Sequence, residues 1–493
     1  MSDPDERPAD LLDTPEAGHR AIRGSVLRGG GYIAGLGLAV GSAAVLFRHL
    51  GVVDAGKYVT VLSVVTIAGG LTDAGLTTIG VRELSIRDAA SAREYMRNLL
   101  GLRIVLSAVA IVFAAAFAAV AGYGATLVFA TALAGLGVML QYLSQTFGVA
   151  LQVQLRNGWL TALEFMRQAL TAALIVALVL AGAGLVPLLG VSVPVGIVLV
   201  VATAALVRRE IPLRPTFHRS QWTVLLRQIL PVAAGFAVAV VYLRVAVVVM
   251  SLVSSEEQTG YYGAAFRIVE VIAGLPILVV GTLFPIFARA ARDDHARLRY
   301  ALQRALEGSA ILGGFVALGL AVGAPIAIDI VAGPDFEPAI PILRILAFAL
   351  GILFVTAVFT YTLLSLHRYK EMLLAGLVGL AVSAAGSLVL GSHYGGKGAA
   401  VAAVVAELVL ASVSCWFVLR AAPQLRPEAG FALKVVGALA AGVAAGLLTG
   451  LPALAACVLA AIVYLGILAE LRAFPQELVD AVLRRPVPPA AGK

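Results

Sequence analysis

Three charged side chains lie inside long apolar segments of the chain, where they could bind a charged ligand. Arg244 belongs to the segment 229–253, and Arg267 and Glu270 belong to the next one, 260–288. An ionisable group in hydrocarbon is costly unless it faces protein or water. Two arginines against one glutamate leave a net positive charge, which suits a phosphate or diphosphate group. The alternative is a structural ion pair with the second arginine bound to backbone carbonyls.

The elements that position these charges are predicted membrane spans. The chain is 60% hydrophobic, above the share of a soluble protein, and a span needs about 20 apolar residues. Fourteen segments qualify: 24–47, 58–80, 99–121, 124–148, 160–184, 185–206, 229–253, 260–288, 308–332, 341–366, 371–392, 397–419, 432–450 and 452–471. The sequence therefore predicts an all-α integral membrane protein.

The cations between the spans predict the orientation. Alternate gaps and the two ends together hold 28 Lys and Arg residues, whereas the opposite gaps hold only Arg48, Lys57 and Lys397. Cationic loops stay in the cytoplasm, so both termini are predicted to be cytoplasmic. That placement requires an even number of spans, which favours fourteen over thirteen.

The depth of the three charges follows from the spans. At about 1.5 Å per residue, Arg244 lies roughly 13 Å below the outer end of its span, and Arg267 and Glu270 about 10–15 Å below theirs. The turn between the two spans, SSEEQT, is short, so the spans are antiparallel neighbours. We therefore expect the three groups to meet near mid-membrane.

Weak internal similarity predicts two halves of like polarity. Gly56-Lys57-Tyr58 is echoed by Gly260-Tyr261-Tyr262, and Leu155-Arg156-Asn157 by Leu366-His367-Arg368. Six spans per half would give parallel repeats about an axis along the membrane normal, enclosing a central cavity. The predicted domains are a disordered cytoplasmic tail (1–22), two six-helix bundles (23–228 and 229–420), extra spans 13 and 14 (421–472) and a cytoplasmic tail (473–493).

Other charges within spans are secondary candidates. Arg344 and Arg103 lie close to span ends and can extend to the interface, although Arg344 is also a candidate for the headgroup site. Asp73, Asp329 and Glu407 are candidate proton or cation sites, or hydrogen-bonded structural groups. Glu164 and Arg167, near the end of span 5, are expected to pair or to extend into the headgroup region.

Several other classes of function are excluded by residue type. The net charge of +8 comes from short loops beside spans, so it does not indicate nucleic-acid binding. The six histidines are isolated, and two cysteines within spans offer neither a disulfide framework nor a metal site. The stretch from Gly391 to Lys397 matches a phosphate-binding loop only until Gly398, where Ser or Thr is needed. No cleavable signal peptide is evident, no cofactor is expected, and catalysis by side chains is not predicted.

A set of motifs in order along the chain resembles a known family. Phe47-Arg-His-Leu-Gly-Val-Val-Asp-Ala-Gly-Lys-Tyr58, followed by Leu71-Thr-Asp-Ala-Gly-Leu76 and Arg82-Glu83, is similar to the signature of spans 1 and 2 of polysaccharide exporters. Gly260-Tyr-Tyr-Gly-Ala-Ala-Phe-Arg-Ile-Val-Glu270 and Leu283-Phe-Pro285 resemble the second-half signature. Gly333-Pro-Asp-Phe336 and Tyr394-Gly-Gly-Lys-Gly-Ala399 look like its loops. The resemblance is to the multidrug/oligosaccharidyl-lipid/polysaccharide (MOP) exporter superfamily, in its Wzx-type O-antigen flippase branch.

The resemblance implies a substrate, a membrane and partners. Relatives of this branch would move a polyprenyl-diphosphate-linked oligosaccharide across the bacterial inner membrane by alternating access, for lipopolysaccharide or other polysaccharide biosynthesis. Glycosyltransferases and a polysaccharide polymerase are the implied partners, with H⁺ or Na⁺ as the coupling ion. Relatives often carry an Asp just after the arginine of span 7, whereas Ala246 stands there in this chain.

Three alternatives stay open. A lipid II flippase has the same span count and a cationic cavity. A cation-coupled multidrug exporter would have aromatic and acidic cavity walls. A membrane glycosyltransferase or polymerase would need large external loops, and the external gaps here are about ten residues or shorter.

Overall fold

The chain folds into α-helices that are long enough to cross a membrane. The computed structural model describes residues 15–73, 75–211 and 214–474, and within them it contains no β-strand. Short 3₁₀ helices lie at Pro334–Ala339 and Pro423–Leu425. The α-helices are α1 (Pro15–Asp73), α2 (Leu76–Ile86), α3 (Ala89–Val120), α4 (Ala125–Val153), α5 (Asn157–Leu180), α6 (Leu185–Gly190), α7 (Ser192–Val207), α8 (Arg219–Val253), α9 (Glu256–Ile272), α10 (Gly274–Asp293), α11 (His295–Val331), α12 (Ile340–Ser365), α13 (Tyr369–Ala421), α14 (Ala429–Leu448) and α15 (Ala453–Glu470).

Within the described ranges, twelve helical segments are long and apolar enough to cross a membrane. Two helices, α1 and α13, each cover two of the predicted spans. Each is divided by a glycine with non-helical geometry, Gly51 (φ 67°, ψ −178°) in α1 and Gly395 (φ 58°, ψ −141°) in α13. The all-helical membrane fold is confirmed, and the count of fourteen spans stays a prediction.

Three predicted spans are interrupted. Span 2 is divided between α1 and α2, where Gly75 has a φ of 86°. Span 6 is divided between α6 and α7, and span 8 is divided at Ala273 between α9 and α10. The break in span 8 comes three residues before Pro276, which has no N–H to donate to the carbonyl of Ile272.

The predicted domains group the helices into two halves and an added helix pair. We call α1–α7 the first half and α8–α13 the second half. A buried cluster inside the first half contains Leu99 and Val149, and one inside the second half contains Phe287 and Val358. The added pair, α14 and α15, packs on α11, where the Tyr464 hydroxyl donates to the Ile311 carbonyl at 2.9 Å.

The corners after α4 and α12 have the same geometry. Leu155 (φ 57°) and His367 (φ 58°) are both left-handed. In each corner the amide of the left-handed residue donates a hydrogen bond to the carbonyl three residues before it. The amide of the following residue donates to the carbonyl five residues before itself. These corners lie at the second pair of sequence echoes, but the same turn also ends α3, α5 and α15, so the repeat stays a prediction.

Some residues of both predicted tails belong to the helical structure. Helix α1 begins at Pro15, so the predicted end of the first tail at residue 22 is too late, because proline suits the first turn of a helix and Glu and Ala follow it. Ala473 and Phe474 pack on the cluster around α14 and α15 rather than belonging to a tail. Residues 1–14 and 475–493 lie outside the described residues.

Candidate binding cavity between the halves

A cavity lies at the seam between the two halves, and the three predicted charges line it. Its empty volume is about 520 Å³. The first half contributes α1 and α5 to its wall, and the second half contributes α8 and α9. The polar groups on the wall are the side chains of Ser42, Tyr58, Thr171, Arg244, Arg267 and Glu270.

The local sequence explains why α8 and α9 bring the charges together. Helix α8 ends at Val253 and α9 begins at Glu256, so the two helices are antiparallel neighbours. Ser255 caps α9, because its side chain accepts a hydrogen bond from the amide of Gln258 at 3.2 Å. The short connection and the cap fix how far each helix runs before it reaches the cavity.

Glu270 bridges both arginines. One carboxylate oxygen accepts a bond from the Arg244 guanidinium, and the other lies 2.9 Å from Arg267 Nη1. The Arg244 guanidinium also lies over the Phe266 ring, 5.5 Å from its centroid, and its Nε is buried without an acceptor. The expected meeting of the three groups is therefore present, with two positive charges on one negative charge.

The three side chains differ in their access to the cavity. Arg267 is 36% exposed, Glu270 18% and Arg244 12%. Arg267 therefore presents the most accessible guanidinium, whereas Arg244 lies deeper behind the carboxylate. Arg267 can therefore bind an anion directly, while Glu270 links Arg267 to the second positive charge on Arg244.

The halves are in backbone contact at the end where α8 turns into α9. A Cβ built on Gly260 would lie 2.1 Å from the Val52 carbonyl oxygen, and one on Gly56 would lie 2.7 Å from the Glu256 carbonyl oxygen. Only glycine allows so close an approach. Gly56 and Gly260 are the first residues of the two echoed motifs, so the echoed segments pack against each other.

Polar contacts between the halves flank this glycine contact. Lys57 Nζ lies 3.3 Å from Glu256 Oε2. Arg48 Nη2 donates to the Asp329 carbonyl oxygen at 2.6 Å, and the hydroxyls of Tyr123 and Ser251 are 2.6 Å apart. Sequence reasoning missed these contacts because residues far apart in the chain form each of them.

Two other predicted site residues lie elsewhere. Arg344 belongs to the first turns of α12 and is not among the residues that line the cavity; its Nε is buried without an acceptor. Asp329 is exposed near the end of α11, and its backbone rather than its carboxylate receives Arg48.

Asp73 has a partner that the sequence did not indicate. Arg103 Nη1 lies 2.5 Å from Asp73 Oδ1, and Arg103 also donates to the hydroxyls of Thr146 (3.0 Å) and Thr77 (3.1 Å). The Arg103 side chain is 1% exposed, so the expectation that it extends to the interface is wrong. One feature of the sequence could have indicated this ion pair: Asp73 and Arg103 have opposite charges and lie near the same end of two consecutive predicted spans.

Glu407 is buried inside the second half. It is 4% exposed, and the Tyr242 hydroxyl donates to its Oε2 at 2.5 Å. Its other oxygen, Oε1, is buried without a hydrogen-bond partner. Within the described ranges no group of three His, Cys, Asp or Glu residues could hold a metal ion.

Solved structures of membrane transporters share this fold. The chain is similar to "Lipid II flippase MurJ, inward closed conformation" at a TM-score of 0.76 and 13% identity, over 93% of this chain and 100% of that one. It is also similar to a multidrug resistance MATE family transporter of the MOP superfamily in an inward-facing conformation, at a TM-score of 0.63 and 15% identity, over 79% and 94%. A MOP superfamily transporter from Pyrococcus furiosus matches at 0.56 and 16% identity, over 81% and 94%.

The family follows from the sequence match. Residues 45–341 match the family model described as "Polysaccharide biosynthesis protein", and the chain belongs to that family. No curated protein matches the chain. The predicted resemblance to a polysaccharide export family agrees with this family match, and the fold is shared with the solved membrane transporters named above.

Proposed function

We propose that this chain is a flippase that moves a polyprenyl-diphosphate-linked oligosaccharide from the cytoplasmic to the periplasmic leaflet of the bacterial inner membrane, with both termini in the cytoplasm. The supporting observation is the surplus positive charge of Arg244 and Arg267 beside Glu270, inside a cavity at the seam between the halves. A diphosphate brings negative charge to a site that carries one uncompensated positive charge.

A polar path is the physical need that such a cavity meets. Moving a charged, sugar-bearing headgroup through about 30 Å of hydrocarbon is prohibitive without one. In the proposed mechanism, the headgroup enters the cavity while the polyprenyl tail stays in lipid. Rocking of one half against the other then breaks the contact at Gly56 and Gly260 and opens the cavity to the opposite side.

The charge of the cavity separates this proposal from its alternatives. A cationic drug would be repelled by the surplus positive charge, so an anionic headgroup is favoured over a drug substrate. A lipid II precursor has the same diphosphate, and the fold shared with a lipid II flippase keeps it as the second candidate. Glycosyltransferases and a polysaccharide polymerase remain the proposed partners.

The test is the double variant Arg244→Gln, Arg267→Gln in cells that depend on this chain for glycan export. We expect export to be lost while the protein still accumulates in the membrane, because the site loses both groups that bind the diphosphate. The matched control is Arg297→Gln, Arg299→Gln, which removes two exposed arginines of α11 and should leave export unchanged.

The lipid that accumulates decides between the substrates. A lipid-linked oligosaccharide on the cytoplasmic side supports the proposal, and accumulation of lipid II instead would favour the second candidate. Unchanged export by the double variant would exclude the assigned role of the two arginines.

We also propose that Glu407 is the coupling site for protons. A carboxylate in the membrane with no cationic partner is costly, whereas its protonated form is neutral. Asp73, by contrast, is paired with Arg103, and Asp329 lies exposed near a helix end. Tyr242 would hold the carboxylate in place, because its hydroxyl donates to Oε2.

The test of coupling uses the purified protein in vesicles with an imposed pH gradient. Glu407→Gln should transport at a rate that no longer depends on the gradient, whereas wild type should depend on it. The control Glu164→Gln changes an exposed acid that pairs with Arg167. A gradient dependence in Glu407→Gln equal to that of wild type would rule out this site, and dependence on a sodium gradient alone would favour Na⁺.

A further inference from the structure

A second concave site lies at the arginine-rich end of the second half, away from the cavity. Its empty volume is about 590 Å³, and it is formed by the last turns of α10, the end of α12 and the start of α13. We call it the corner pocket. It is lined by Phe284, Ala288, Arg289, Arg292, Leu364, Ser365, His367 and Tyr369.

The corner pocket is amphipathic. Arg289 and Arg292 are three residues apart on α10, are exposed, and form one wall. His367 lies across from them, after the end of α12, with its left-handed φ of 58°. The floor is apolar, and its Phe284 ring packs 5.9 Å from the ring of Tyr361. The pocket therefore has cationic walls above a floor that can contact hydrocarbon.

Among the side chains that the structure describes, no carboxylate forms an ion pair with either arginine. Glu371, in the first turn of α13, pairs with Arg368 at 3.3 Å. Asp294 caps α11 by accepting a bond from the amide of Arg297 at 2.8 Å. Arg289 Nε donates to the Pro285 carbonyl of its own helix at 3.3 Å, which leaves its terminal nitrogens toward the pocket opening.

The related corner of the first half provides a comparison. There the left-handed residue is Leu155, and the hydrogen bonds of the turn are the same. The arginines in that region are neutralised: Arg156 lies 2.9 Å from Glu210, and Arg87 lies 2.8 Å from Glu83. The predicted membrane orientation places this end of the helices in the cytoplasm, where exposed arginines are common, so their exposure alone does not indicate a binding site. A concave pair that has no acidic partner among the described side chains needs a further explanation.

We propose that the corner pocket binds the phosphate group of a lipid headgroup at the membrane surface. Guanidinium groups bind phosphate oxygens through paired, charge-assisted hydrogen bonds. Basic pockets between membrane helices on the cytoplasmic side bind anionic headgroups. The phosphate bonds to Arg289 and Arg292, His367 donates a further hydrogen bond, and the first carbons of the lipid contact Phe284 and Leu364. An anionic phospholipid and a polyprenyl diphosphate share this chemistry.

The experiment measures lipid binding to the purified full-length protein in detergent. Phosphatidylglycerol, zwitterionic phosphatidylcholine and polyprenyl diphosphate are titrated separately, with retained lipid measured by native mass spectrometry and the apparent Tm followed in parallel. For wild type we expect phosphatidylglycerol to be retained and to raise the Tm. Arg289→Gln, Arg292→Gln should bind it about tenfold more weakly for each charge-assisted bond lost.

The control is Arg87→Gln, Arg156→Gln, which removes the same charge from the related corner and should bind lipid as wild type does. Polyprenyl diphosphate that displaces phosphatidylglycerol from wild type, and that the α10 variant itself no longer binds, would identify the pocket as a site for the substrate headgroup. Lack of displacement would identify a site for bulk phospholipid. Equal binding of phosphatidylglycerol by the α10 variant and wild type, or equal retention of phosphatidylcholine, would overturn the proposal.

The outcome does not depend on the proposed function, because the assay involves no transport. The Tm of each variant without added lipid shows whether it is folded. Loss of lipid binding with an unchanged Tm is the result that the proposal requires.

Discussion

Two clusters of buried charge differ in balance and access. In the first half, Arg103 is 1% exposed, lies 2.5 Å from Asp73 and has two threonine hydroxyls as further acceptors. In the seam, Arg244 and Arg267 share the single carboxylate of Glu270 beside a cavity of about 520 Å³. The first cluster is electrically balanced within one half. The second retains a positive charge at the contact between the two halves, so of these two clusters only the second is suited to binding a ligand.

The largest expected effect comes from unbalancing the first cluster. Arg103→Met removes the partner of Asp73 and leaves three polar groups around an apolar side chain. Breaking such a buried pair costs about 3–5 kcal/mol in the free energy of unfolding, and the lower end applies because Asp73 is 25% exposed. The measurement is the apparent Tm in detergent, together with the amount of protein in the membrane.

The control for this prediction is the double variant Arg103→Met, Asp73→Leu, which removes both charges and should recover much of the lost Tm. If Arg103→Met were as stable as wild type but inactive in transport, the first cluster would be part of the transport site and the comparison would fail.

The sequence predicted the membrane fold better than it predicted the difference between the balanced Arg103–Asp73 pair and the positively charged cluster at the seam. Apolar length locates the helices, because a span is a local property of about 20 residues. Arg244 was predicted to meet Arg267 and Glu270 because they lie at similar depths and a short turn joins their two spans. Arg103 and Asp73 are on α3 and α1, and no local rule fixes how those helices rotate against each other.

The next prediction concerns the seam itself. Gly260→Ala places a Cβ 2.1 Å from the Val52 carbonyl oxygen, a backbone atom that cannot move aside. The halves would have to separate at this end, so we expect transport to fall at least tenfold, about 1.4 kcal/mol in the balance between conformations. Transport rate in vesicles is the measurement.

Gly80→Ala is the matched control within the first half. Its Cβ would lie 3.1 Å from Leu99 Cδ2, the end of a flexible side chain, so the helices can accommodate it. Transport should remain near the wild-type rate. Equal losses in the two variants would mean that tight glycine packing in general, rather than closure of the seam, limits the rate.

The smallest expected effect comes from raising the charge surplus without removing an arginine. Glu270→Gln keeps one acceptor oxygen, which can bond to only one of the two guanidinium groups, and changes the net charge of the site from +1 to +2. At the dielectric constant of about 80 that applies to a site open to water, a unit charge about 8 Å from a unit negative charge contributes about 0.5 kcal/mol. The diphosphate should therefore bind more tightly and leave more slowly, so that KM and kcat both fall severalfold.

Glu164→Gln controls for the loss of a carboxylate, because Glu164 pairs with Arg167 at the same three-residue spacing but is 53% exposed and is not among the residues that line the cavity. It should leave KM and kcat unchanged. A rise in KM for Glu270→Gln would show that the carboxylate serves mainly to hold Arg267 in position, since a misplaced guanidinium binds the diphosphate less well even when the net charge is higher. The direction of the KM change therefore separates charge surplus from geometry as the property that makes the seam cluster a binding site.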